Sequence, residues 1–434
     1  SAMFLPPEHV ALPTADLLAN AQLPLCDRAK TGPLLHVAKR DQADFFFRWR
    51  CPRWMTRYMA LPAIEVSELG LSQDQLDSRG WKPGQRLHPA FVVMAMGFTH
   101  SPLLTQHAHE TVIYTRTSLK REDALSRTAD PYLNRLRHLV CLDDVIWVAP
   151  VELDLVRAAV LEYDKAIDSV KGLLIKRSKD VNCTSSPTEC LGAELDGYDA
   201  VLRVSPRKKE KLVLATRLIL SRGFASGTQL ARLAGGWAWA MLLFRPSLSL
   251  FRVVYTFVAQ AGDRTFPLWA AVRRELQAAL ALLPLLSSDL KTSFFPRLIA
   301  FDASSYAQGV SVTAVSQRSA ADLASAGAQQ RNAFRHEQVL PREAFEHAAF
   351  PPVVASTVTS HQWFDLVSSP FAVPEHVNVL EARALSTSIR WAVSQPAAFS
   401  KHIVALTDSR VVYWAVNKGR SSSRFLYPRV KAIA

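Results

Sequence analysis

Leu139-Val140-Cys141-Leu142-Asp143-Asp144-Val145-Ile146-Trp147-Val148 is two apolar runs with an acidic pair between them. Each run has the length and composition of a buried strand, so the segment reads as a tight hairpin with both carboxylates at its tip. Adjacent carboxylates flanked by buried strands repel each other, and divalent cations relieve that cost. Asp is also a favoured turn former and acidic pairs in hairpin turns are common, so by itself the pair fits an ordinary acidic turn better than a metal site.

Working outward, further chemistry-bearing segments appear in order. About a hundred residues upstream, His36-Val37-Ala38-Lys39-Arg40-Asp41-Gln42-Ala43-Asp44-Phe45-Phe46-Phe47 reads as a short strand, an acidic end and an aromatic turn. Between the two acidic segments lies Met96-Gly97-Phe98-Thr99-His100-Ser101-Pro102, followed by Gln106. Downstream come Gly172-Leu173-Leu174 with Lys179, and then Cys190-Leu191-Gly192. A second set of acids follows. Ala300-Phe301-Asp302-Ala303-Ser304-Ser305 and Gly309-Val310-Ser311-Val312 read as strand, turn and return strand. Val379-Leu380-Glu381 opens a helix whose apolar face includes Leu385, Ile389 and Ala392. Ile403 to Asp408 is another strand ending in an acid, followed by a helix from Val411 to Asn417 that Gly419 stops.

The chain has 434 residues, 49% hydrophobic and 21% charged, a globular composition too long for one typical core. Its formal net charge of +13 favours a polyanionic partner, because Lys and Arg displace counterions condensed on phosphates. From Lys39 to Tyr58, six basic residues (Lys39, Arg40, Arg48, Arg50, Arg53, Arg57) interleave with six aromatics (Phe45, Phe46, Phe47, Trp49, Trp54, Tyr58). Cations beside rings suit a single-stranded nucleic-acid groove, with some of the rings left to an ordinary core. The five cysteines are odd in number and lack C-x-x-C spacing, which fits a reducing compartment better than a disulfide framework. The most apolar stretch, Leu233 to Phe244, is twelve residues, against about 20 for a membrane span. No amino-terminal segment has the pattern of a secretory signal. The expectation is an intracellular protein, nuclear or cytoplasmic, with no membrane partner.

Residues 1–205 mix short apolar runs with Pro and Gly breaks. The polar, basic stretch Pro206 to Lys211 marks a boundary. From there to about 290 the pattern is helical, with Leu230, Leu233, Trp237 and Met241 on one face and Pro246, Pro267 and Pro284 as breaks. Strand-like alternation returns at Arg297. The Ala/Ser/Gln-rich segment between about 316 and 375 reads as a long insertion or poorly ordered loop.

The spacing of Asp41, Asp44 and Phe46 resembles the first catalytic motif of reverse transcriptases, and Cys141-Leu142-Asp143-Asp144 resembles their Tyr-x-Asp-Asp box. The segment from Met96 to Gln106 is similar to the loop and helix that hold template and incoming nucleotide. Gly172-Leu173-Leu174 with Lys179, and Cys190-Leu191-Gly192, resemble the family's next two motifs, the latter its primer grip. The resemblance implies an RNA-directed DNA polymerase with two Mg²⁺ or Mn²⁺ ions per active site. Asp41 and Asp143 would be the principal ligands, Asp144 a supporting carboxylate, and Lys179 a cation or proton donor near the leaving pyrophosphate. Phe46 would exclude a ribose 2′-hydroxyl, and Met96, Gly97 and Gln106 would contact substrate. The partners implied are an RNA template, a DNA primer and deoxynucleoside triphosphates.

Strand-Asp302, helix-Glu381 and strand-Asp408 resemble the first three catalytic acids of the ribonuclease H fold, implying a second two-metal site acting on an RNA–DNA hybrid. The fourth acid of that fold would lie beyond Ala434. The wording around these motifs looks most like DIRS-like, tyrosine-recombinase retrotransposons. The expected organisation is an α/β (α+β) chain: partial fingers and palm over 1–205, a helical thumb/connection over 206–292, and an incomplete ribonuclease H-like domain over 293–434. Ala95 and Cys141 depart from the usual Pro and Tyr, and only about forty residues precede Asp41, so truncation at both ends is expected. The alternative is a degenerate or domesticated relative that binds nucleic acid without catalysis.

Overall fold

The computed structural model describes residues 12–24, 32–126, 131–150, 153–336 and 360–433, with backbone only for 328–336. The chain forms two compact units of mixed helix and sheet. The first comprises Ser1–Pro13, His36–Ala124 and Leu136–Thr184; the second comprises Thr14–Leu35, Leu125–Arg135 and Ser185–Ala434.

In the first unit, β1 (His36–Asp41), β2 (Arg137–Cys141), β3 (Asp144–Ala149) and β4 (Val181–Thr184) form an antiparallel sheet in the order β2-β3-β1-β4. Helices α1 (Ser101–Arg116) and α2 (Leu153–Asp168) supply its core. Side chains alternate across a strand, and here the alternation sorts chemistry from packing. Ala38 pairs with Trp147 and Arg40 with Val145. Ala38, Val145, Trp147 and Ala149 are buried with Ile113 of α1 and Val156, Val160, Tyr163 and Ile167 of α2. The opposite phase carries Lys39 and Asp41 on β1 and Asp144 on β3, so the acids share the face turned away from this core, alongside buried Val37, Ile146 and Val148.

In the second unit, β5 (Thr188–Cys190), β6 (Ala193–Asp196), β7 (Val201–Val204) and β8 (Ser287–Asp289) form a small antiparallel sheet. Leu191 and Gly192 make its first turn with φ of 48° and 80°, and a two-residue hairpin of that hand needs positive φ. Helices α3 (Pro206–Arg222), α4 (Gly227–Met241), α5 (Arg252–Ala261) and α6 (Ala270–Leu282) follow. The expected face of α4 is in the core, since Leu230, Leu233, Trp237 and Met241 are all buried, and a Ser226–Gln229 capping box starts the helix. No single helix among the described residues is long and apolar enough to cross a membrane, although Gly227–Leu250 with Arg252–Ala261, bent by 87°, passes by length and composition.

The rest of this unit is a four-stranded sheet of β9 (Phe294–Ala303), β10 (Ala307–Ala314), β11 (Phe364–Pro370) and β12 (His402–Leu406), in the order β11-β10-β9-β12. Only the β9–β12 pairing is parallel. Helices α7 (Gln317–His336), α8 (Val377–Val393), α9 (Arg410–Lys418) and α10 (Tyr427–Ile433) accompany it. Ile299, Phe301 and Val310 of the sheet are buried with Leu380 and Leu385 of α8, Val412 of α9 and Val430 of α10. Gly419 closes α9 at φ +64°, the stop read from sequence.

The segment 316–375 requires a correction. Far from being one loop, it opens with α7 and ends with β11, which pairs with β10. Composition misled because Ala is the strongest helix former, and Ala320, Ala321 and Leu323 supply an apolar face packed with Phe294, Leu298 and Val404. Residues 337–359 lie outside the described residues.

Candidate active site

The acidic hairpin forms as its pattern predicts. Cys141 and Asp144 are paired across β2 and β3, leaving Leu142 and Asp143 as a two-residue turn. Leu142 adopts φ +52°, a conformation non-glycine residues rarely take, so surrounding contacts must hold it. Part of that hold is Gln106 of α1. Its Oε1 accepts from Leu142 N at 2.7 Å and its Nε2 donates to Val140 O at 2.9 Å. Gln106 is 4% exposed. Both ends of its amide are occupied by the hairpin, so it supports the acids from behind rather than reaching toward a substrate.

Asp41, the last residue of β1, is directly opposite Asp144 of β3. Like charges facing across a strand pair destabilise it, and two lysines answer. Lys39 Nζ lies 3.0 Å from Asp144 Oδ1, and Lys179 Nζ donates to Asp41 Oδ2 at 2.6 Å. Lys179 reaches Asp41 because the stretch before it runs along the end of β1, with Ala43 N donating to Leu174 O and Lys176 N to Asp41 O. Asp143 makes no ion pair among the described residues. Burial pushes the carboxyls of Asp143 and Asp144 up, with neighbouring carboxylates adding to the rise and Lys39 opposing it. The hydrogen bond to Asp41 raises Lys179. Burial, with Asp144 and Asp143 adding to it, lifts Cys141 to about 11, so its thiol stays protonated.

Sequence reasoning missed Lys39 as a partner of the acids. It also assigned Arg40 to a nucleic-acid groove, whereas Arg40 is buried, donating to Asp164 Oδ1 at 2.9 Å and Asn182 Oδ1 at 3.0 Å. Arg177 donates to the same Asp164 at 2.7 Å and to Asp180 at 3.1 Å, anchoring the turn that carries Lys179. Lys39 and Arg40 therefore leave the basic set, a correction with a clear cause: each is spent on an internal carboxylate. Arg50, Arg53 and Arg57 are exposed, as are Phe47, Trp54 and Tyr58. Of the three consecutive phenylalanines, Phe45 is buried, Phe46 is half-buried against the cluster of Met55, Met94 and Phe98, and Phe47 is exposed. Met96 is exposed, and Gly97 takes φ +91°.

The second acid set converges more tightly. In the parallel pairing of β9 with β12, Ala300 lies beside Leu406. Asp302 and Asp408 each follow by two residues and emerge at the same sheet edge. Helix α8 packs across this sheet through buried Leu380, which sets Glu381 beside them. One ligand atom from each of Asp302, Glu381 and Asp408 lies within 4.8 Å of the others, the one trio of potential ligand residues that does so among the described residues. Ser409 caps α9 by accepting from Val412 N at 3.4 Å, fixing the chain just past Asp408. Glu381 Oε2 is buried with no hydrogen-bond partner. Burial, with Asp408 and then Asp302 adding to it, pushes the Glu381 carboxyl to about 7.

Both sets offer hard oxygen donors suited to Mg²⁺ or Mn²⁺. The orphaned Glu381 oxygen and the 4.8 Å convergence fit a cation at the second set. The first set suits a cation in donor type, but lysines hold two of its carboxylates and the three do not close to that separation.

No protein-family model matches the chain, and no curated protein matches it in sequence. Among solved structures, the chain is similar to a foamy viral protease-reverse transcriptase in complex with double-stranded DNA, at 12% identity and TM-score 0.43, over 98% of this chain and 58% of that one. It is similar also to the foamy viral protease-reverse transcriptase with an RNA/DNA hybrid, at 11% identity and TM-score 0.44, over 98% of this chain and 65% of that one. The chain thus spans less than two thirds of the length of either.

Proposed function

We propose that this chain is the polymerase and ribonuclease H portion of a retroelement reverse transcriptase, with Asp41, Asp143 and Asp144 as the palm carboxylates. The observation that carries this reading is the direct opposition of Asp41 and Asp144 across β1 and β3, with Asp143 in the adjoining turn. In this reading the palm and partial fingers run to about residue 205, the thumb/connection to about 292, and the ribonuclease H-like domain occupies the remainder.

Asp41 and Asp143 would hold the cations, which, when bound, activate the primer hydroxyl and offset triphosphate charge. Lys179, about half exposed on its turn, would move from Asp41 to a phosphate of the incoming nucleotide. Phe46 would set the sugar preference beside Met96 and Gly97. Arg50, Arg53 and Arg57, with Trp54 and Tyr58, present charge and rings to a template strand. Asp302, Glu381 and Asp408 would hold the cations of a separate centre that activates water against the RNA strand of a hybrid.

A second reading, nucleic-acid binding without catalysis, draws on the two lysines that sit on palm carboxylates. One experiment separates them: primer extension on an RNA template with deoxynucleotides and Mg²⁺ or Mn²⁺, wild type against Asp143→Asn. Metal-dependent extension lost in the variant supports the polymerase. Template binding without extension by folded wild type supports the second reading.

A further inference from the structure

Behind the acidic hairpin, buried groups hold several backbone atoms of its turn and of the strand leading into it. Gln106 takes Val140 O and Leu142 N, as described. Leu142 O faces His109 Nδ1 at 2.6 Å, and Asp143 O accepts from Gln42 N at 2.9 Å. His109 Nε2 lies 3.0 Å from the Tyr163 hydroxyl, which Gln42 Nε2 approaches at 3.3 Å. Gln42, His109 and Tyr163 are each 2% exposed or less.

The protons in this chain have one consistent arrangement. A carbonyl oxygen cannot donate, so the His109 nitrogen facing Leu142 O must carry the hydrogen. Burial lowers His109 to about 4, so the ring is neutral at physiological pH and its Nε2 is a bare acceptor. Tyr163 must then donate to Nε2, and its own oxygen accepts from Gln42. The contacts close into a loop: Gln42 to Tyr163, Tyr163 to His109, His109 to the turn, and the turn back to Gln42 through Asp143 O. Gln42 follows Asp41 directly, so the loop ties one acid's backbone to the other's.

We propose that His109 and Tyr163 are positioning residues of the acidic hairpin, because this closed, buried hydrogen-bonded loop sets where Asp143 stands relative to Asp41. The proposal rests on the polymerase reading for its consequence in catalysis, but not for its structural content. Neither residue touches a reacting atom; each acts through the backbone of the turn.

The test uses the whole chain with Tyr163→Phe, which deletes the hydroxyl and keeps the ring, and His109→Phe as a second variant. In ¹⁵N-histidine-labelled protein, the resonance lost in His109→Phe should show a neutral ring protonated on Nδ1. In hydrogen exchange, the peptide over 137–149 should exchange faster in Tyr163→Phe while peptides from α1 keep their wild-type rates. In primer extension, kcat should fall about tenfold, with KM for deoxynucleotide and Kd for primer-template within about twofold. A ring protonated on Nε2, or unchanged exchange at the hairpin, overturns the loop. Faster hairpin exchange with unaltered kcat overturns the positioning role. Wild type that extends no primer defeats the polymerase reading instead, and the tautomer and exchange still decide the loop.

Discussion

The two acid sets solve the same electrostatic problem in opposite ways. The hairpin set brings carboxylates together on a rigid strand pair and supplies side-chain cations, Lys39 and Lys179, from the same unit. The second set has no lysine or arginine paired with Asp302, Glu381 or Asp408 among the described residues, and instead carries a Glu381 carboxyl pushed up to about 7 with one oxygen unsatisfied. A site with its own counter-cations can keep its geometry in the absence of an ion. A site without them stores repulsion that an arriving ion releases, and its stability should respond more strongly to that ion.

The largest expected contrast is functional. Asp143→Asn should cut primer extension at least about a hundredfold, the scale of losing a group that stabilises transition-state charge. Glu381→Gln should leave extension unaltered and abolish any hybrid-directed nuclease activity. Equal loss of extension in both variants would erase the separation of the two sites.

The next contrast concerns Lys39. Lys39→Met leaves Asp144 desolvated beside two other carboxylates, and should cost about 1–3 kcal/mol in denaturant unfolding. Adding Asp144→Asn should recover most of that loss. A double variant no better than Lys39→Met would show that the ion pair is not what the lysine contributes.

A smaller effect is expected at Phe46. Truncation to Ala should raise ribonucleotide use about tenfold relative to deoxynucleotides, within the range for removing a steric block of this size. Unchanged sugar discrimination would pass the role to Phe45 or Phe47.

The smallest effect is the pH response of the second set. Burial, with Asp408 and Asp302 adding to it, pushes the Glu381 carboxyl up to about 7, well above the ordinary carboxylate range of the unfolded chain. As pH rises through that window the unfolded chain releases its proton first, so the native state loses stability, and the loss is complete above the folded value. With EDTA present, Glu381→Gln should therefore raise the melting temperature more at pH 8 than at pH 5. Mn²⁺ should narrow the difference at pH 8. An equal gain at both pH values would refute the charge-deficient description.

Where residue type and strand period sufficed, the sequence was readable. The hairpin, the placing of Asp302 and Asp408 at strand ends, and the buried face of α4 all follow from patterns of two or about four residues. What escaped were the pairings across long sequence distance that the family resemblance did not imply. Lys39 and Arg40 counted as surface cations because nothing local reveals that Asp144 and Asp164 will meet them. Gln106 looked like a substrate contact because an amide on a helix does not announce that both its ends face a turn. His109 and Tyr163 passed unremarked, since a lone His and a lone Tyr on helices are ordinary core residues. In 316–375, composition outweighed the short apolar face Ala320-Ala321-Leu323, which becomes visible only against the sheet it covers.

The parallel pairing of β9 with β12 has a consequence for the order of folding. Its partners, Leu298 and Val404 among them, are roughly a hundred residues apart, and β10 and β11 are joined to the sheet through nearer connections. Contacts of such separation carry the greatest loop-closure cost and form late. Until β12 docks, Asp408 has no fixed place beside Asp302, so the three carboxylates converge only once the strand furthest along the chain has joined the sheet.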